Sequence, residues 1–411
     1  MTRTKENYNY YIFILIFYLI IFRELLENYL PIFGYLDELI SCMAIPIAIK
    51  KLYERHGLLR IRKNSYSFWV GVAILFALAG NIVYGYQDML KAVLPDLLLN
   101  LKFWLNIYVG ITLFKSINLS LNGGKIANHI KAVVWLYVLL LFLDKFLNLF
   151  PGDYRYGMKS TFLFYGLHTV FCAMCVFLLA LLLLVKDKTR YFTLYSVILL
   201  LLMASTMRSK AFGGVILYIL LYYLINVCNK KIKLKSVILI GCLCLLIGWS
   251  QIQYYFFSSI SDGAARNVLL RTCFDIAKEH FPLGAGLATF ASHYSGVVYS
   301  PLYSNYGISN IYGLTRDHPS FISDSFWPME IAQNGYLGAA CFIMALYKLF
   351  VEISKIKIKN RNAYFSALFA LGYLCVSSLA ESSFVNSLSI PIALVIGGCL
   401  TQAHHVREDD R

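Results

Sequence analysis

Twelve apolar stretches, most of them near the roughly 20 residues that cross a bilayer core, divide this chain and leave few choices of fold. They run at about 10–22, 36–49, 68–86, 93–114, 132–150, 161–185, 191–207, 211–227, 236–255, 328–350, 363–380 and 384–402. Only 14% of the 411 residues are charged, against about a quarter in a soluble domain. So few charges cannot cover a water-facing surface, and 59% hydrophobic residues exclude disorder. A membrane barrel would show strands of about ten residues, half the length of these runs. The expected architecture is an all-α polytopic membrane protein with about 12 transmembrane helices.

The net charge of +15 would suggest a nucleic-acid partner in a soluble protein. Here the basic residues gather between apolar runs, at Lys50 to Lys63, Lys186 to Arg190, Lys230 to Lys235 and Lys355 to Arg361, so no nucleic acid is expected. With the N-terminus inside, 25 Lys and Arg fall on the cytoplasmic side and 10 outside, with Lys102 and Lys145 within spans. The positive-inside rule then puts both termini in the cytoplasm. The first run lacks a small-residue cleavage site and reads as a span, not a signal peptide. Nine of the ten cysteines lie in or beside apolar runs, so no external disulfide framework is expected. Cys172 and Cys175 lack a second pair or histidine cluster, which favours apolar packing over a metal or redox site.

One loop stands apart, dividing the chain into residues 1–255 with spans one to nine, 256–327, and 328–411 with spans ten to twelve and a tail. The topology places 256–327 outside the membrane, and a long loop with its own chemistry is where function concentrates. Gly263 to His280 reads as an amphipathic helix with Asn267, Arg271, Asp275 and Lys278 on one polar face. Pro282 and the Gly284-x-Gly286 pair end it. Beyond it lie Tyr294, Tyr299, Tyr303, Tyr306 and Tyr312, then Phe321, Phe326 and Trp327. Their flat faces suit sugar rings, and an interfacial aromatic belt explains them equally well.

These residues carry a resemblance. Arg266 to Phe290, with Arg271, Pro282, Gly284 and Gly286 in place, resembles a signature of the O-antigen polymerase and ligase superfamily. Ser205-Thr-Met-Arg208-Ser-Lys-Ala-Phe-Gly-Gly resembles that family's element at the outer end of a central span. Asp324 to Gly338, including Gln333 and Gly335, resembles its segment leading into the next span. The resemblance implies a GT-C-like helical bundle with a large periplasmic loop between spans nine and ten. It also implies metal-independent, inverting glycosyl transfer at the outer face of a bacterial inner membrane, with no cofactor. The implied substrate is an oligosaccharide on undecaprenyl pyrophosphate amid membrane lipids. A chain-length regulator and a flippase of the same pathway are the implied protein partners. Ligase-like members show His-Asn where this chain has Asp324-Ser325, so the wording looks more like repeat-unit polymerases of O-antigen or capsule pathways. The alternatives are a ligase transferring glycan to lipid A core, and, in another class, a lipid-linked oligosaccharide flippase or transporter.

Departure of undecaprenyl pyrophosphate develops negative charge near the membrane surface, which guanidinium groups can hold bidentately. Arg208 is the first candidate, followed by Arg266 and Arg271, with Lys210 and Gln333 beside them in the matching segments. Arg266 and Arg271 project about 140° apart on an ideal helix and are not expected to share one phosphate. Asp324, His318 and Asp317 are the candidate bases; a cap for the tenth span explains Asp324 as well. Asp37, Glu38 and Glu381 sit at outer span ends, where a carboxylate could orient an arginine or a sugar. Lys102 and Lys145 are expected to snorkel, and His404-His405 to be inert. Reporter fusions check this topology. Those at Lys233 and Lys357 should report cytoplasm and one at Tyr303 periplasm; a cytoplasmic signal at Tyr303 would remove the basis for a site in the loop.

Overall fold

The computed structural model describes residues 2–56, 65–155, 157–229, 232, 264–358 and 360–402. The expected ninth span, the start of the long loop and His404-His405 lie outside the described residues. Without water, backbone N–H and C=O groups must pair within their own segment, so the apolar runs become helices. In chain order these are α1 (Thr2–Tyr29), α2 (Leu36–His56), α3 (Tyr66–Tyr84), α4 (Leu94–Ser116), α5 (Leu119–Leu147), α6 (His168–Leu184), α7 (Phe192–Ala204) and α8 (Ser209–Tyr222). The long loop contributes α9 (Ala265–Glu279), α10 (His293–Val297) and α11 (Leu302–Asn305), followed by α12 (Phe326–Ser354), α13 (Arg361–Ser377) and α14 (Ser389–Thr401). Among the described residues seven helical stretches are long and apolar enough to cross a membrane, namely α1 to α3, α4 with the turn from Met89 before it, α5, α8 with its continuation to Val227, and α12. The molecule is an all-helical membrane protein.

Several expected spans are shorter helices than their apolar runs. The run at 161–185 becomes helical only at His168, because Thr161 instead donates to the Ser205 carbonyl (3.0 Å). From Val170 to Leu184 every residue of α6 is buried, as expected for a helix that is apolar on all sides. Cys172 and Cys175 pack within it, with Tyr373 Oη 3.4 Å from Cys172 Sγ. The last two runs are separated by turns from Ser378 to Leu388. There Ser378 Oγ donates to the Cys375 carbonyl and Leu388 N to Asn386 Oδ1, local bonds that compete with helix.

The loop helix α9 packs along α12, burying Leu269, Cys273, Ile276 and Ala277. Arg271, Asp275 and Lys278 are exposed as expected, whereas Asn267 is buried on the packed side. Beyond α9 the chain folds back into the bundle. Gly335 interrupts α12 with φ 66° and ψ 177°, which releases carbonyls of the turn before it. Ala285 N donates to the Ala332 carbonyl (2.9 Å) and Gly286 N to the Gln333 carbonyl (3.0 Å). Asn81 of α3 grips Leu287 from both sides, accepting from its N–H (2.8 Å) and donating to its carbonyl (3.0 Å). Asp96 of α4 accepts from Ala288 N (2.8 Å). A side chain at Gly284 would run into the backbone of Gln333 to Gly335, and one at Gly286 would meet Asn81 at 2.6 Å.

The two-stranded hairpin Tyr154–Arg155 with Met158–Lys159 joins α5 to α6, pairing Tyr154 with Lys159 and Arg155 with Met158. Helix α14 crosses α4 at contact distance, because both carry glycine there: a side chain at Gly110 would strike the Leu394 carbonyl, and one at Gly397 the Ile107 carbonyl. Gly110→Val and Gly397→Val should each lower the melting temperature of the detergent-solubilised protein by the equivalent of about 1–3 kcal/mol. Gly71→Ala, with nothing within 4 Å of the added carbon, should leave it unchanged. Equal melting of all three variants would refute the close crossing.

Candidate functional site

The first turns of α2, α4, α6, α8, α12 and α14 meet at one end of the bundle, here called the loop end, and most of the paired charges sit there. Arg208 is the residue just before α8. Its Nη2 lies 2.9 Å from His168 Nδ1 and 3.3 Å from Asp153 Oδ2. Because the guanidinium can only donate, His168 accepts at Nδ1 and carries its ring proton on Nε2. That nitrogen is 2.7 Å from Ser160 Oγ and 3.1 Å from Asp153 Oδ1. The hairpin brings Ser160 back beside Asp153, and the Ser160 hydroxyl donates to the Asp153 carboxylate (2.6 Å). This bond, with Arg155 and Arg208, holds the Asp153 carboxyl well below the usual carboxylate range.

Two further cations of the resembling segments are paired in the same way. Lys210 Nζ is 2.5 Å from Glu381 Oε2, and Ser377 Oγ donates to Glu381 Oε1. Arg266 Nη2 is 3.1 Å from Asp324 Oδ2. The two pairs are linked, since Ser382, beside Glu381, donates through Oγ to the carbonyl of Ser323, beside Asp324 (2.6 Å). Arg208, Lys210 and Arg266 thus stand at the loop end, each matched by a carboxylate from a distant part of the chain.

Between them opens a cavity of about 230 Å³ lined by Asp37, Glu38, Asp96, Lys102, His293, Ser323, Ser382, Asn386 and their neighbours. Lys102 does not snorkel. It is 1% exposed, with its ammonium 2.5 Å from Asp37 Oδ2 and 3.5 Å from Glu38 Oε1. Arg23 approaches Asp37 from the other side at 3.5 Å, so this carboxylate does orient an arginine. An ion inside a span is costly, and these groups offset the cost by pairing. Partial desolvation on the cavity side and the nearby Lys102 ammonium hold the His293 imidazole below its ordinary value.

Of the remaining expected residues, His318, Asp317 and Arg271 lie outside this cluster. His318 and Asp317 are exposed in a turn where Thr315 Oγ1 accepts from His318 N (3.1 Å). Arg271 is exposed on α9, and Lys145 at the end of α5. Gln333 is buried and donates to the Phe290 carbonyl (2.9 Å), so it struts the inserted segment. Asp324 does not cap α12; the preceding residue of the helix is Ser325, and no side chain caps it. Of the tyrosines, Tyr303 is fully buried and accepts from Ala291 N (2.9 Å), which makes it core of the loop. Tyr312 is 78% exposed and meets Phe321 edge to face at 5.8 Å. Among the described residues no three His, Cys, Asp or Glu side chains come together as metal ligands.

The sequence reading missed Asp153, His168, Asp96 and His293. Asp96 and Lys102 carried the one available signal, an ionisable residue inside an apolar run. A comparison with protein-family models and with curated proteins finds no match for this chain.

Breaking the buried pair tests its role. Lys102→Met takes the ammonium from two carboxylates, leaving Asp37 the longer Arg23 contact, and should cost about 3–5 kcal/mol, seen as loss of monodisperse protein on heated size exclusion. Lys102→Met with Asp37→Asn should recover part of that loss. A double variant no better than the single would contradict the pairing.

Proposed function

We propose that this chain is a repeat-unit polymerase that joins undecaprenyl-pyrophosphate-linked oligosaccharides into O-antigen or capsular polysaccharide at the periplasmic face of a bacterial inner membrane. The observation that carries the reading is the meeting of segments far apart in sequence that share one resemblance: Arg266 pairs with Asp324, and Gly284 lies against Gly335. The loop end, with Arg208, Lys210, Arg266 and the polar cavity, is then the periplasmic end.

In this reading an acceptor hydroxyl oxygen bonds to the anomeric carbon of the donor sugar, and the bond from that carbon to pyrophosphate breaks. Arg208, Lys210 and Arg266 favour the charge that grows on the leaving oxygen. Their carboxylate partners keep them in place beforehand, so little reorganisation accompanies the reaction. The acceptor proton needs a base. Asp324, bound to Arg266, suits a positioning role, and the neutral imidazole of His293 on the cavity wall suits the proton transfer. A ligase is less well supported, since Asp324-Ser325 stands where ligase-like members have His-Asn.

Deleting the gene should leave surface glycan and lipid-linked product at one repeat unit. Long lipid-linked polymer accumulating without attachment would indicate a ligase. In membranes matched for protein abundance, Arg208→Lys should lose chain extension nearly as fully as Arg208→Ala, by roughly 10²–10³ in rate, because one ammonium replaces a planar fork. Long chains from Arg208→Ala would refute the role given to this residue.

A further inference from the structure

The cavity differs in charge from its rim, where each cation is matched by a carboxylate. Its lining includes three carboxyl groups, those of Asp37, Glu38 and Asp96, and one ammonium, that of Lys102. An anion entering it meets more like charge than opposite charge, at a depth where water screens poorly. Hydroxyl groups meet the reverse. Carboxylates accept from them, and the Asn386 amide and the Ser387 and Ser292 hydroxyls both donate and accept. Asp96 is fully buried, and its Oδ1 has no hydrogen-bond partner among the described residues, which leaves an acceptor there to be satisfied. At about 230 Å³ the space is smaller than the roughly 300–1,000 Å³ of pockets for drug-sized ligands, so it suits one ring rather than a whole repeat unit.

We propose that this cavity is a subsite for a single uncharged sugar ring, bound through its hydroxyls by Glu38, Asp96 and Asn386, and that its excess of carboxyl groups excludes uronic acids and phosphates. The inference rests on the polymerase reading for the source of the ring, a sugar of the lipid-linked substrate. It assigns the two chemistries of that substrate to separate places. Pyrophosphate stays at the rim, where Lys210 and Arg266 stand one residue beyond the lining residues Ser382 and Ser323 on their partners' segments. The ring lies inside.

Saturation-transfer NMR on the full chain in detergent tests this with free glucose, galactose, mannose, rhamnose, N-acetylglucosamine and N-acetylgalactosamine, and with glucuronic acid and inorganic pyrophosphate as competitors. At least one neutral sugar should receive saturation, glucuronic acid should receive none, and pyrophosphate should not displace the neutral sugar. Asn386→Leu should weaken binding about tenfold, as expected for lost hydrogen bonds at a buried site. Glu38→Gln should keep the neutral sugar and gain glucuronic acid, a gain that misfolding cannot mimic. Ser387→Ala and a melting curve for each variant separate lost binding from lost fold. Glucuronic acid binding the unmodified chain as well as a neutral sugar, absence of any neutral-sugar signal, or full binding by folded Asn386→Leu would each overturn the proposal. Sugar binding with no polymer dependent on this gene would refute the polymerase and keep the subsite; a polymer ladder that needs Arg208, with no sugar bound, would refute the subsite alone.

Discussion

Everything at the loop end depends on how the backbone from Ala285 to Ala288 is satisfied. These residues are buried within a helical membrane protein, where an unpaired amide costs several kcal/mol. The chain solves this with a broken helix. Gly335 opens α12, and the carbonyls of Ala332 and Gln333 accept the amides of Ala285 and Gly286. Asn81 and Asp96 take the next two. Four elements are thereby fixed to one another by backbone geometry, and the loop inherits the rigidity of the bundle. His293 and Ser292 can form a stable cavity wall only because this insertion holds their start of α10 against α4.

The second constraint is the cost of charge in an apolar surround. Lys102, Lys210 and Arg266 each face a carboxylate within 3.1 Å, and Arg208 faces one at 3.3 Å. Each pair joins segments distant in sequence, so the pairs also act as clasps between helices. Their exposure differs, and so does their use. Lys102 is sealed from solvent and pairs with Asp37 in the cavity wall, whereas the Arg208 and Arg266 side chains are partly open at 26% and 29%. A partly open guanidinium with five donors can keep one carboxylate and still meet a phosphate, which a sealed ammonium cannot.

The sequence made legible whatever depends on composition and local pattern. The apolar runs among the described residues contain helices, and α9 formed where the polar face of Arg271, Asp275 and Lys278 required. What it hid depends on partners far along the chain. Lys102 looked like a snorkelling lysine because Asp37 is 65 residues away. Asn267 shares the spacing of the exposed face yet is buried, since packing against α12, not periodicity, decides which edge of α9 is covered. Tyr303 had the composition of a sugar platform, but its hydroxyl is taken by Ala291 N and Ser295. Gln333 carried a motif position and turned out to hold Phe290 in place.

These facts together separate building from chemistry within one motif. The glycines and Gln333 are occupied by backbone, so substitutions there act through the shape of the loop end. Arg266 of the same matching segment instead pairs with Asp324 at the rim. Rim and cavity differ in charge: each rim cation is matched by one carboxylate, whereas three carboxyl groups line the cavity beside one ammonium. The broken helix at Gly335 keeps both on one rigid support, since Asp324 and Met329 lie on its near side and the inserted segment docks at its break.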